Sequence, residues 1–446
     1  FSGSIPFGGF LPAWMYHAQL PPPSHVFNPN LPGITWVDLV FPFFLFAMGA
    51  AFPFALTKKL NSGIPKWKLF IQILQRGLML ALFAIFIQHT KPYALSQNPQ
   101  SIHWITAIMA FALLLFLLTR FPNTISLKTK IIFKIVSAAA AVALLYPLTF
   151  SNGSGFSLNR SDIIILVLAN TAFFGSLIWI LTRSNIMLRV GILAFLLALR
   201  LTQNIEGSYN FWLWNYSPFP WLYKLYYLQY LFIVIPGTIA GDLIHKWIQV
   251  TEEQNLENKN KLGLIAFIML SIVIVTVIGL FNRQIVSTLI FDSLLLTGAY
   301  IILLREDSNY FKLIKNLTSW GTYWLILGFF FEAFEGGIKK DKSTLSYYFI
   351  TSGLAFFIYN MLTILIDRFE FSNKLRLLIA NGQNPMIAYI AGSHILMPLF
   401  ALTSLNIILQ KIFFTPWLGV LKGATFTLLV ALITAFFTNK KLFWRT

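Results

Sequence analysis

Thirteen separate stretches of this chain are apolar over about the thickness of a lipid bilayer, and that repetition leaves few architectures open. A hydrocarbon core about 30 Å thick takes about 20 residues of helix. Inside it every backbone N–H and C=O must find a partner within the protein, so only helices and closed barrels cross. The stretches lie near 37–56, 69–87, 101–118, 131–149, 162–182, 187–201, 228–245, 262–281, 285–304, 320–334, 345–366, 384–401 and 414–437. They are too long for barrel strands, which need about 9–11 residues. Those near 187–201 and 320–334 are short. The expectation is an all-α, polytopic transmembrane helix bundle of about 11–13 spans, forming one domain over 1–446. Only 11% of the residues are charged, against about 25% in soluble domains.

A net charge of +18 could suggest a nucleic-acid partner. The placement of the charge argues for a bilayer and against nucleic acid. Basic residues crowd into alternate loops, beginning with Lys58, Lys59, Lys66 and Lys68 and ending with Lys440, Lys441 and Arg445. That set holds 21 of them, and the intervening segments hold 8, three at Lys339, Lys340 and Lys342. The positive-inside rule then puts the first set and the C-terminus in the cytoplasm. Segment 1–36 falls outside, as a periplasmic loop before the first complete span. It contains no Lys or Arg, and Pro12, Pro21 to Pro23, Pro29 and Pro32 keep it out of helix. Its apolar start, FSGSIPFGGFL, resembles the tail of a hydrophobic segment and implies a first membrane helix lying mostly upstream.

The chain has no cysteine, which removes disulfides, thiolate metal sites and cysteine nucleophiles and suits a bacterial envelope protein. No phosphate-binding GxxxxGK[ST], dinucleotide GxGxxG or HExxH is present, and no metal site is expected. The outer loop carries His17 and His25. Asp38 opens the following span, where a carboxylate caps a helix N-terminus and could equally orient an imidazole. Asp242, Asp292 and Glu332 fall at membrane depth, which makes each a candidate for function; each could equally lie near an interface.

The stretch Gly33-Ile34-Thr35-Trp36-Val37-Asp38-Leu39-Val40-Phe41-Pro42-Phe43-Phe44-Leu45-Phe46-Ala47-Met48-Gly49, preceded by His17-Ala18, resembles the heparan-α-glucosaminide N-acetyltransferase family and its bacterial relatives. Weaker echoes are Leu74-Gln75-Arg76 and Asn384-Pro385-Met386-Ile387-Ala388-Tyr389 with His394 beyond; the middle third is alike in hydropathy alone. The resemblance implies a transmembrane acyltransferase of the bacterial inner membrane. It would move an acetyl group from cytoplasmic acetyl-CoA, as cosubstrate, to an amino sugar or related saccharide acceptor on the outer face. It places the catalytic histidine at His17, with Pro21 to Asn30 read as an insertion; His25 is the substitute. Asp38 would position it. The family's asparagine on the preceding loop has no clear counterpart near Ser2 to Ser4, which leaves the acceptor open. Arg76, Gln75 and Lys58 are the candidates for CoA, and Trp212, Trp214, Asn384 and His394 for the acceptor. The outer segment 202–227 is rich in Trp and Tyr, which suits a membrane interface as well as a sugar face. A secondary transporter of a small polar solute, a non-catalytic scaffold and a homo-oligomer stay open on residues alone.

Overall fold

A computed structural model describes residues 5, 11–121, 125–250 and 258–445. The expected start of an upstream helix, and Ser2 to Ser4, lie outside these. All thirteen apolar stretches fall on helices: α1 Val40–Asn61, α2 Lys66–Thr90, α3 Ser101–Leu118, α4 Leu127–Leu145, α5 Ile163–Leu181, α6 Ile186–Thr202, α7 Leu231–Ile248, α8 Lys259–Phe281, α9 Ile285–Leu303, α10 Asn309–Phe330, α11 Leu345–Asp367, α12 Pro385–Leu402 and α13 Pro416–Asn439. Ten of these, some with a flanking turn, are long and apolar enough to cross a membrane by length and composition. The other three are α4, α6 and α10. Helix α4 carries Lys128, Lys130 and Lys134, α6 has 17 residues, and α10 begins eleven residues before the expected 320. Among the described residues there is no strand, only an isolated bridge between Thr119 and Trp444. The protein is a multi-pass membrane protein.

Two packings position the functional end. Helices α1 and α7 meet backbone to backbone because Gly49, Gly237 and Gly241 lie in the seam. A Cβ on Gly237 would come 2.2 Å from the Phe46 carbonyl oxygen, and one on Gly241 would come 2.3 Å from that of Ala50. Small residues four apart are what close membrane helices use. Helices α10 and α11 pack in the same way, with Gly353 facing Leu325.

The capping residues set where helices start. The Ser308 and Thr344 side chains accept from the Phe311 and Tyr347 N–H groups at the starts of α10 and α11. Before α1 a 3-10 turn, Trp36–Leu39, is closed by a capping box between Thr35 and Asp38.

The two loop sets sit at opposite ends. Segments 11–39, 225–230 and 331–344 meet at one end through direct hydrogen bonds, including Gly33 N–H to the Ile338 carbonyl at 2.7 Å. Helix α1 carries the chain from there to Lys58, about 30 Å at 1.5 Å per residue.

Candidate active site

Asp38 does two things at once. Its Oδ2 accepts from the Thr35 N–H at 2.9 Å, the Thr35 hydroxyl at 3.3 Å and the Ala18 N–H at 3.2 Å. Its Oδ1 faces His17 Nδ1 at 3.3 Å. One oxygen of this fully buried carboxylate therefore serves the cap, and the other lies against the imidazole. The Asp38 carbonyl also accepts from the Tyr347 hydroxyl at 2.7 Å, which ties the start of α1 to α11.

His17 lies between two carboxylates. On its other side Nε2 is 2.9 Å from Asp341 Oδ2, 324 positions away in the chain. The Gln19 N–H points at Nδ1 from 3.1 Å. With one ring proton, on Nε2, the ring donates to Asp341 and accepts from Gln19. With both nitrogens protonated, Asp38 Oδ1 becomes the second acceptor. Asp341 is half exposed while the His17 side chain is 14% exposed, so the open approach to the ring is from the Asp341 side. The hydrogen bond with His17 holds the Asp341 carboxyl below the usual carboxylate range, with burial opposing and the neighbouring Lys340 assisting. The Lys340 ammonium lies 3.8 Å from Asp38 Oδ1.

Gln19, fully buried, locks the two loops together. Its side-chain carbonyl accepts from the Asp341 N–H at 2.9 Å, and its amide donates to the Asp341 and Pro29 carbonyls. Sequence reasoning missed Gln19, Lys340 and Asp341. One signal was present: Lys339, Lys340 and Lys342 break the charge alternation, and they lie in this loop.

The other expected site residues are placed differently. His25 stays within its own loop, with its ring 4.5 Å from that of Tyr16 and its Nδ1 3.3 Å from the Leu20 carbonyl. Trp212 is exposed and stacks on Tyr216 on the short helix Tyr209–Asn215, and Trp214 is partly buried beside it. Neither is brought to His17. Asn384 is fully buried and holds the C-terminal segment, donating to the Leu442 carbonyl at 2.9 Å and accepting from the Trp444 N–H at 3.2 Å. His394 lies 3.2 Å from the Thr90 hydroxyl and 2.9 Å from that of Ser393. Both belong to a different part of the bundle from His17.

Lys58, Gln75 and Arg76 are exposed towards or near the lysine-rich end. Arg76 is within electrostatic reach of Arg445. Burial and the charge of Arg120 push the Arg445 guanidinium below its ordinary value, so three arginines converge there. Of the acids expected at membrane depth, Asp242 pairs with Arg189 at 2.6 Å and Asp292 accepts from the Thr276 hydroxyl at 2.8 Å, whereas Glu332 lies in the turn just past α10, at the end of the bundle, and pairs with Arg283. Among the described residues no group of His, Cys, Asp and Glu is arranged to hold a metal ion.

The model of one protein family, described as a domain of unknown function (DUF5009), matches residues 1–244, a span that includes His17, Asp38 and Arg200 and stops short of Asp341. No curated protein sequence matches the chain.

Proposed function

This chain belongs to the DUF5009 family, and we propose that it is a membrane acyltransferase related to the heparan-α-glucosaminide N-acetyltransferases. It transfers an acetyl group from cytoplasmic acetyl-CoA to an amino sugar or related acceptor at the outer face of a bacterial inner membrane. The observation that carries this reading is His17, set between Asp38 and Asp341 at one end of the bundle, with one side open.

The chemistry suits that arrangement. The acceptor amine attacks the thioester carbonyl carbon, forming the C–N bond as the C–S bond breaks. In the other tautomer, with the ring proton on Nδ1 towards Asp38 Oδ1, Nε2 is free: it takes the amine's proton, and the CoA sulfur leaves as thiolate and receives that proton from the imidazolium. The positive charge formed on the ring is met by Asp38 on Nδ1 and by Asp341 near Nε2. Asp341, half exposed, also offers an anionic landing point for an incoming ammonium group. The arginine cluster of Arg76, Arg120 and Arg445 is the proposed seat of the CoA phosphates.

Purified protein incubated with labelled acetyl-CoA and a panel of amino sugars tests the reading. Labelled product that disappears with His17→Ala supports it; no transfer to any amine or hydroxyl acceptor defeats it. A secondary transporter is the second reading, favoured by Asp292, whose Oδ1 is buried without a hydrogen-bond partner on α9. Solute uptake by proteoliposomes without acetyl-CoA, lost with Asp292→Asn and kept with His17→Ala, would select it.

A further inference from the structure

The loop that holds Asp341 against His17 also forms one wall of a cavity of 560 Å³. This is well within the range of small-molecule sites, about 300–1,000 Å³. Arg200, at the end of α6, and Gln229, just before α7, line it together with Lys339 and Lys342. Arg200 is 7% exposed and Gln229 2% exposed, so both polar groups have left water.

The charges in this cavity do not balance. Arg200, Lys339 and Lys342 face one lining carboxylate, Glu335. Glu335 is already divided: one oxygen takes Arg200 Nη2 at 2.7 Å, and the other caps α11 through the Leu345 N–H at 2.7 Å. Arg200 also donates to the Gln229 side-chain carbonyl and to the Ser343 carbonyl at 2.7 Å. Its Nε remains buried with no hydrogen-bond partner. A buried guanidinium and two further cations against one carboxylate leave the lining with a net positive charge, which suits an oxyanion. These cations are also among the few basic residues at this end of the molecule.

The rest of the lining is polar or aromatic. Asn30, Gln203 and Asn204 present amides, and Tyr226 presents a ring. Amides pair with hydroxyl groups in both directions, and a tyrosine ring gives a flat apolar face.

We propose that this cavity binds a small sugar carrying an oxyacid group, a sugar carboxylate or a sugar phosphate. Arg200, Lys339 and Lys342 take the oxyanion, the amides take ring hydroxyls, and Tyr226 packs on the ring. The site goes beyond the acyl-transfer reading and does not depend on it.

Binding is measured directly, without acetyl-CoA, on the full chain in detergent. Calorimetric titrations with glucuronate, glucose 6-phosphate and glucose separate the carboxylate, phosphate and neutral cases. One or both acids should bind at least about tenfold more tightly than glucose, the gap expected for hydrogen bonds to a charged group. That binding should weaken with added salt. The double variant Lys339→Gln, Lys342→Gln alters loop side chains and should lower acid affinity about tenfold with unchanged thermal unfolding. Arg200→Lys should lower it as well; if that variant does not fold, the double variant decides. Equal binding of glucose and both acids, binding of neither acid, or full affinity in the folded double variant would overturn the proposal.

Discussion

At the residue scale, the buried Asp38 carboxylate joins helix start and imidazole in one side chain. His17 is the group on which the proposed chemistry depends. A general base contributes about 10²–10⁴-fold in rate, so His17→Ala should lose most transfer activity while keeping its fold and its CoA affinity. His25→Ala should be much milder, because that ring packs on Tyr16 within its own loop. A rate assay on both variants checks this, and the reverse ranking would move the role to His25. Asp341 gives a pH test. Its folded pKa is lowered, mainly by the His17 hydrogen bond. Its stabilising contribution is therefore present above the unfolded carboxylate value, about 3.9, and lost as pH falls through the lower folded value. The difference in melting temperature between the native chain and Asp341→Asn should be largest and steady for carboxylate ionisation above about pH 5 and should shrink below about pH 4. A difference that grows as pH falls would contradict the Asp341 contact.

At the element scale, the seam between α1 and α7 decides whether Asp38 is delivered to His17. The two backbones are close enough that a Cβ at Gly237 would collide with the Phe46 carbonyl oxygen, which cannot swing aside as a side chain would. Gly237→Val should destabilise the protein by about 1–3 kcal/mol, the usual cost of overpacking. It should also reduce transfer, because α1 and its capping turn shift together. Thermal unfolding in detergent reads the first effect; an unchanged melting temperature would mean that the seam is looser than its geometry. The outer loop depends on α11 as well, through the Tyr347 hydroxyl on the Asp38 carbonyl.

At the scale of the whole molecule, the two ends differ in kind. One gathers His17, Asp38, Asp341 and the Arg200 cavity; the other carries most of the lysines. We expect the first to face outward. Single cysteines at Ser24 and Ser62, in an otherwise cysteine-free chain, should react with an impermeant thiol reagent from opposite sides of the membrane. Reaction from one side for both would defeat the orientation and the transfer scheme built on it. Arg76→Ala should weaken CoA binding, read by titration of the purified protein; unchanged affinity would remove Arg76 from that role.

The helices were legible in the sequence because a bilayer imposes a length and a polarity on every span, and both are local properties. The same holds for the start of α1, where Thr35 and Asp38 are three positions apart and cap each other. Where local signals were mixed, reading slipped: the polar first turns of α10 hid a helix that begins at Asn309. The partners of His17 are another matter. Asp38 is 21 positions away and came into view through a motif, whereas Asp341 is 324 positions away on a loop whose lysines registered only as exceptions to a charge rule. Hydropathy has no term for which loops meet at one end of a bundle. That meeting is decided by helix packing, by glycine seams and by a buried Gln19 that accepts from one loop and donates to two. Repeated membrane crossing is written into local hydropathy; the placing of His17 between two acids beside a cationic cavity is not, because those contacts exist only once distant helices have packed.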